Sequence, residues 1–167
     1  KNFAKPSISM IQGYCLGGGM EVALSTDFRI CSEDSQLGIP AARLSIAYSF
    51  DAIHRLCSLV GPSCAKDILI TARRIKAPEA LRIGLVNQIT SLAGLEEEVA
   101  EYTQAILENA PLSMQASKLT VDEILKNPAD RNLAAIEEIG KTCFNSKDYR
   151  EGRTAFMEKR KPVFTGK

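Results

Sequence analysis

Gly13-Tyr14-Cys15-Leu16-Gly17-Gly18-Gly19-Met20-Glu21 is the stretch on which the reading of this chain turns. Before it, Ser7-Ile8-Ser9-Met10-Ile11 alternates polar and apolar residues at its start, so it reads as a strand. After it, Met20-Glu21-Val22-Ala23-Leu24-Ser25 has helix-forming composition. The glycine run therefore reads as a turn between a strand and a helix. Three consecutive glycines there would leave backbone N–H groups unhindered at a helix N-terminus, a setting that stabilises anions, an oxyanion included. Gly18 and Glu21 are three residues apart and share a helix face, which sets a carboxylate beside a potential oxyanion donor. A tight turn followed by a first-turn Glu is the plainer description, and the nine residues alone leave both open. The run is not a dinucleotide fingerprint, because G-x-G-x-x-G is absent, and not a P-loop, because Gly-Lys-Ser/Thr does not close it.

Working outward, Phe28-Arg29-Ile30-Cys31 reads as a strand and Gln36-Leu37-Gly38 as a shorter one. Ser49-Phe50-Asp51 opens a helix carrying Ile53, Leu56, Leu59 and Val60, which Gly61 ends. Pro62 suits the first position of the next helical element, through Ile70. Pro78 starts a short helix stopped by Gly84, and Leu85-Val86-Asn87-Gln88-Ile89 is a strand candidate. From Leu95 onward the pattern is helical. Glu96, Glu97 and Glu98 form a solvated first turn that complements the helix dipole. Pro111 and Pro128 divide the remainder into about three helices. Asp148 is expected to open the last one, with Glu151 as its capping-box partner. The sequence displays no internal repeat and no linker. The architecture expected is an α/β core over residues 1–90 followed by a helical module over residues 91–167.

Composition narrows the function classes. The 167 residues carry 21 Lys and Arg against 20 Asp and Glu, a net charge of +1, so there is no electrostatic footprint for nucleic acid or an anionic membrane. Hydrophobic residues at 45% and charged residues at 25% exclude a disordered chain. No apolar run approaches a membrane span. Five cysteines at irregular spacings, without a C-x-x-C, argue against a disulfide framework or a zinc site, and a reducing compartment fits. One histidine, His54, makes multi-His metal sites and His-dependent hydrolase schemes hard to build; it reads as an amphipathic-helix residue. The start, Lys1-Asn2-Phe3-Ala4-Lys5-Pro6, has no initiator Met and enters a strand-like run at once, so the sequence is expected to begin within a longer protein.

Two further constellations are candidates. Ile39-Pro40-Ala41-Ala42-Arg43 through Ser49-Phe50-Asp51 is a loop with one cation and one anion; taken by themselves, Arg43 is a surface charge and Asp51 a first-turn carboxylate. Phe156, Lys159 and Arg160 stand at i, i+3 and i+4, a face that could hold a nucleotide's base and phosphates or simply be an amphipathic terminal helix.

The glycine stretch resembles the enoyl-CoA hydratase/isomerase (crotonase) superfamily. The resemblance continues through Thr26-Asp27-Phe28-Arg29-Ile30, Leu37-Gly38-Ile39-Pro40, Arg55-Leu56, Val60-Gly61, Ala80 to Val86, and Arg150-Glu151-Gly152-Arg153 with Ala155 to Lys161. It implies an α/β fold, a ClpP-like ββα spiral core followed by a C-terminal helical trimerisation region. It also implies that an N-terminal segment, supplying the other oxyanion donor and much of the coenzyme A pocket, is missing from this sequence. By resemblance Gly18 matches the N–H donor that polarises the thioester carbonyl, and Glu21 one of two catalytic glutamates. Phe156 and Lys159 match positions that contact the CoA nucleotide. Ser49 lies where dienoyl-CoA isomerase relatives place a catalytic Asp, with Asp51 two positions away; both are expected at the substrate. One departure stands out: the second glutamate of hydratases directly follows the Pro, and here Pro40 is followed by Ala41.

The implied activity is hydration or isomerisation of an enoyl-CoA through a thioester enolate. A single-acid/base decarboxylase and a catalytically silent CoA-binding homologue are the alternatives. The implied partners are an acyl-CoA substrate and like subunits in a homotrimer or hexamer, with no nucleic acid and no membrane span. No permanently bound cofactor and no metal are expected, CoA arriving as part of the substrate. The implied compartment is the cytoplasm, or the mitochondrial matrix in a eukaryote.

Overall fold

Two strand–strand–helix units, each laying one strand on each of two small sheets, open the computed structural model, which describes residues 3–167. The first is β1 (Ile8–Ile11), β2 (Tyr14–Leu16) and α1 (Gly18–Leu24). The second is β3 (Phe28–Ser32), β4 (Gln36–Gly38) and, after a 3-10 turn at Pro40–Leu44, α2 (Phe50–Thr71). Then follow β5 (Ile75–Lys76), α3 (Ala77–Arg82) and β6 (Gln88–Thr90). β1 pairs in parallel with β3, Ile8 opposite Phe28 and Ile11 opposite Cys31, and β3 in parallel with β6. β2 pairs in parallel with β4, Tyr14 opposite Gln36 and Leu16 opposite Gly38, and β5 closes that sheet antiparallel. The repeat is thus one of path, and no repetition of residues betrays it.

Glycines stand where this path bends sharply. Gly17 takes a left-handed φ of 53° and donates its N–H to the Gly38 carbonyl at 3.0 Å, so the end of β4 fixes the turn that starts α1. Gly61, at φ 75° and ψ 162°, breaks α2 into two helical halves, with Pro62 beginning the second. The sequence places both halves correctly. It reads Gly13 to Gly19 wholly as turn, whereas Tyr14–Leu16 forms β2 and Gly18 and Gly19 already begin α1. It puts the last strand at 85–89, whereas the strand is Gln88–Thr90 and Leu85 and Val86 are buried in the core before it.

The core of Ser7–Ala100, one of two compact units, gathers Met20, Leu37, Leu56, Ile68, Ile75 and Leu85. Each buried side chain of this size contributes about 1.5–3 kcal/mol. Met20, Ala23 and Leu24 are the faces α1 turns inward, the i, i+3, i+4 stripe of an amphipathic helix. Below α1 lies a buried charge. Arg29, 2% exposed, donates from Nε to the Leu85 carbonyl at 2.8 Å and from Nη1 to Thr26 and Ala23 carbonyls at 2.8 and 3.3 Å. It binds the C-terminal end of α1 to the approach to β6. Asp27 complements it by accepting the Ser7 N–H and hydroxyl, each at 2.7 Å, so β1 and β3 start in register.

Glu101–Lys167, with residues 3–6, make the second compact unit. Among the described residues the C-terminal region holds four helices: α4 (Leu95–Leu107), α5 (Pro111–Ile124), α6 (Leu133–Asn145) and α7 (Lys147–Glu158). Pro128 opens only a 3-10 turn, Pro128–Asp130, and Asn132 caps α6. Buried Glu123 closes the α5–α6 connection, accepting from Lys126 Nζ at 2.6 Å and the Asn132 N–H at 2.7 Å.

The expected capping box on Asp148 and Glu151 is not formed. Ser146, already in extended conformation, caps α7 by accepting the Tyr149 N–H at 3.0 Å. That frees Asp148, 3% exposed, to accept the Thr165 and Gly166 N–H groups at 2.7 and 2.8 Å. Glu151 meanwhile takes both Nη groups of Arg160 at 2.6 and 2.9 Å and the Val163 N–H at 2.9 Å. The two carboxylates together clasp residues 160–166. Asp148→Asn should expose the Thr165 and Gly166 amides to fast hydrogen exchange while α5 and α6 keep their protection. The Arg160 and Val163 bonds hold the Glu151 carboxyl down at about 2. A depressed carboxyl stabilises above its unfolded pKa of about 4.3 and loses that contribution as pH falls toward 2. Tail protection should therefore be constant from neutrality to about pH 5 and decline in acid; a tail equally protected at pH 2.5 would contradict the clasp.

Candidate active site

The start of α1, after the Gly17 turn, is open to solvent on one face. Gly18, Gly19, Glu21 and Val22 are exposed while Met20, Ala23 and Leu24 are buried. The first intrahelical bond runs from the Glu21 N–H to the Gly17 carbonyl at 3.0 Å. The N–H groups of Gly18, Gly19 and Met20 precede it and have no acceptor within the helix. A Cβ added at Gly18 or Gly19 would meet nothing within 4 Å, so internal packing does not demand glycine there. What glycine leaves is open access to the N–H groups. At Gly38 the reason is internal: a Cβ would lie 3.0 Å from the Arg73 carbonyl. The structure thus puts Gly18 and the Glu21 side chain on one open face of α1, as the spacing predicts.

Cys15 is not a nucleophile for this site. It is buried, and burial pushes its thiol up; Cys31 is pushed up to about 11 by burial and by its neighbours Cys15 and Asp34. Both stay protonated at neutral pH.

The loop after β4 differs from a catalytic loop bearing a carboxylate. Ala41 lies in the 3-10 turn with its side chain in the hydrophobic core, 7% exposed. Its carbonyl accepts the Ile46 N–H at 3.1 Å across Ser45, which takes a left-handed φ of 55°. Ser49 is the N-cap of α2, its Oγ accepting the Ala52 N–H at 3.3 Å. Asp51 sits exposed in the first turn. The exposed His54 ring stacks on Phe50, centroids 5.9 Å apart. The residue that spacing did not single out is Tyr48. Its ring is half-buried against the core, and burial together with the negative charge of Glu21 raises its phenol above the usual range.

Beside the turn, Leu16, Gly38, Ile39, Pro40, Arg43 and Arg74 line a cavity of about 120 Å³. Arg43 is exposed, as its surface reading requires. Arg74 lies over the Tyr14 ring, 4.9 Å from its centroid, and Arg73 is neutralised by Asp67 and Glu79 at 2.5 and 2.6 Å.

In the second unit the expected face of Phe156, Lys159 and Arg160 is not helical throughout. α7 ends at Glu158, and Lys159 is its left-handed C-cap at φ 56°. Arg160 then turns back to Glu151 and Glu158. Phe156 and Met157 are 82% and 80% exposed. Among the described residues no group of three or more His, Cys, Asp or Glu is placed to hold a metal ion. Among them, too, no helix is long and apolar enough to cross a membrane.

The path of paired ββα units and the open glycine turn define the class. A solved enoyl-CoA hydratase/isomerase family protein from Hyphomonas neptunium superposes with a TM-score of 0.92 at 30% identity, over 99% of this chain and 63% of that one. The fold is the crotonase fold, α/β. The enoyl-CoA hydratase/isomerase family description matches residues 1–167, and the chain belongs to that family. It is 40% identical over 157 residues to a short-chain-enoyl-CoA hydratase of Clostridium acetobutylicum, covering 94% of this chain and 60% of that protein. It is 40% identical over 163 residues to a crotonyl-CoA hydratase of Syntrophomonas wolfei, covering 98% and 63%. The chain therefore spans about three fifths of the length of the curated relatives it matches.

Proposed function

We propose that this chain carries the acid/base half of an acyl-CoA enzyme of the hydratase/isomerase type. The observation that carries the reading is the open face of α1, where acceptor-less N–H groups at Gly18 and Gly19 stand beside the Glu21 carboxylate. The Gly18 N–H donates to the thioester oxygen as negative charge develops on it, an interaction stronger in the enolate than in the ground state. Glu21 takes or returns the proton at the adjacent carbon. The hydratase relatives support an enoyl-CoA as substrate.

The position of Ala41 in the core favours a second form of the same reading. With one carboxylate, a proton shift within the acyl chain or a decarboxylation needs only an acid/base group and an oxyanion site, whereas hydration must also activate water. The complete protein should be assayed against enoyl-, dienoyl- and malonyl-type CoA thioesters. Turnover of at least one class is the expected result. Tight CoA binding with no turnover of any would instead establish a silent homologue.

CoA contacts at Phe156 and Lys159, and at Ser49 and Asp51 toward the acyl group, belong to the same proposal. So does assembly. Leu107, Val121, Ile124, Leu133 and Phe144 are 56–68% exposed, more apolar surface than a lone helical unit leaves to water. We assign this surface to like subunits in a trimer or a dimer of trimers. Light scattering of the complete protein at micromolar concentration should give three or six times the monomer mass; a monodisperse monomer would refute it.

A further inference from the structure

Arginines gather where the end of β4 meets the C-terminal end of α2, and the cavity they share has no acid in its wall. We propose that this cavity is a binding site for a small oxyanion, a single carboxylate or phosphate group held by Arg43 and Arg74. The inference stands apart from the reading of Gly18 and Glu21.

The charges around the cavity carry it. Arg43, Arg73 and Arg74 all line it, and no Asp or Glu does. Arg73 is taken up by its own carboxylates, donating to Asp67 and Glu79 through bonds of 2.5–2.9 Å. It stiffens the wall and adds no net positive charge. Arg43 and Arg74 keep theirs, since among the described residues neither forms a salt bridge. Neutral groups steady Arg74: its Nη1 donates to Gln36 Oε1 at 3.4 Å, and its guanidinium lies 4.9 Å from the Tyr14 ring centroid. The remaining side chains of the wall, Leu16, Ile39, Pro40 and Ala72, are apolar. Uncompensated charges of one sign on a low-dielectric wall focus their field into the cavity, so an anion gains more there than beside the same charges on an open surface.

Size and donor chemistry define the ligand. At about 120 Å³ the cavity has room for about four waters at about 30 Å³ each, enough for one carboxylate or phosphate group and too little for a nucleotide. Each guanidinium offers a planar fork of N–H donors that matches two oxygens of such a group. The cavity also adjoins the start of α1. Leu16 precedes Gly17, and Gly38 in the cavity wall accepts the Gly17 N–H at 3.0 Å. An anion that steadies this wall should slow amide exchange at Gly17.

The test uses the complete protein with inorganic phosphate, and chloride at equal ionic strength as the comparison. Thermal melting and hydrogen exchange over residues 14–19, 36–44 and 71–76 are followed. Phosphate should raise the melting temperature saturably, with a dissociation constant of about 1 mM, the strength of two charge-assisted contacts, and should slow exchange in these segments; chloride should do neither. Arg43→Gln and Arg74→Gln should each weaken phosphate binding about tenfold or more. Both side chains are exposed, so melting without phosphate should match the wild type. Lys66→Gln removes one positive charge from the exposed surface of α2, outside the cavity, and should leave phosphate binding unchanged. Two thioesters of equal length identify the source of the anion, glutaryl-CoA with a terminal carboxylate and pentanoyl-CoA without one. Glutaryl-CoA binding about tenfold tighter, a preference lost in Arg43→Gln, would bring the anion in on the acyl group. Saturable phosphate binding with equal affinity for the two thioesters would make it a free ion. Phosphate acting no more than chloride while the thioesters bind alike, or effects that survive in both arginine variants, would overturn the inference and leave Glu21 in place.

Discussion

Glu21→Gln lowers turnover of the complete protein about 10²–10⁴-fold, the contribution of one general acid–base group, with the fold intact. The side chain is exposed on the outward face of α1, and the inward stripe of Met20, Ala23 and Leu24 is untouched. Gln preserves shape and hydrogen-bonding capacity and removes only the charge and the transferable proton. Loss of a first-turn negative charge costs a helix about 0.3–1 kcal/mol, so melting should shift by a few degrees at most. Affinity for CoA itself should hold, because the proposed nucleotide contacts lie at Phe156 and Lys159. Steady-state kinetics and thermal melting on the same preparation separate the outcomes. Near-full turnover would move the chemistry away from α1, and a collapse in melting temperature would make Glu21 structural.

Arg29→Met is the largest stability effect expected. The guanidinium is 2% exposed and fully engaged with carbonyls of Leu85, Thr26 and Ala23. Methionine fills much of the volume, yet it leaves the buried Leu85 carbonyl and the half-buried Thr26 carbonyl without their donor. Each such orphaned group costs about 1–3 kcal/mol, so the two together give a loss of roughly 2–6 kcal/mol. Denaturant unfolding should show a loss of that size. Arg29→Lys keeps the charge but not the fork that spans both ends, so it should recover only part of the loss. Because Arg29 pins the C-terminal end of α1, the variant should also lose activity through misplacement of Glu21. A loss below about 1 kcal/mol would mean that water satisfies these carbonyls.

The elements legible in the sequence are those decided locally. Ser7–Ile11 begins by alternating, Gly61-Pro62 interrupts a helix, and the Gly17 turn ahead of a helix-forming run marks a helix start, so β1, the break in α2 and the start of α1 follow from a few neighbours. Elements held by partners distant in sequence were not legible. Tyr14–Leu16 is a strand because Gln36–Gly38 lies alongside it, and Ile75–Lys76 because Gln36 and Leu37 do. The ββα repeat is likewise a property of pairing rather than of residues. At the last helix two serviceable caps stand two residues apart. Asp148 is the stronger by type, but the returning tail claims its carboxylate and leaves the cap to Ser146. The same tail turn makes Lys159 a left-handed cap in place of a helical position. At the candidate site the pairing of Gly18 and Glu21 is legible because the two stand three positions apart on one helix.

In the proposed reaction Glu21 exchanges a proton with the carbon beside a thioester while the charge rests at the Gly18 N–H. Exchange of that proton for solvent deuterium tests it most directly, since it requires neither hydration nor migration to reach completion. With the complete protein in deuterium oxide and a CoA thioester of the productive class, NMR should show loss of the α-proton signal, and Glu21→Gln should slow that loss by about 10²-fold or more. Exchange by the Glu21→Gln variant as fast as by the wild type would contradict the account.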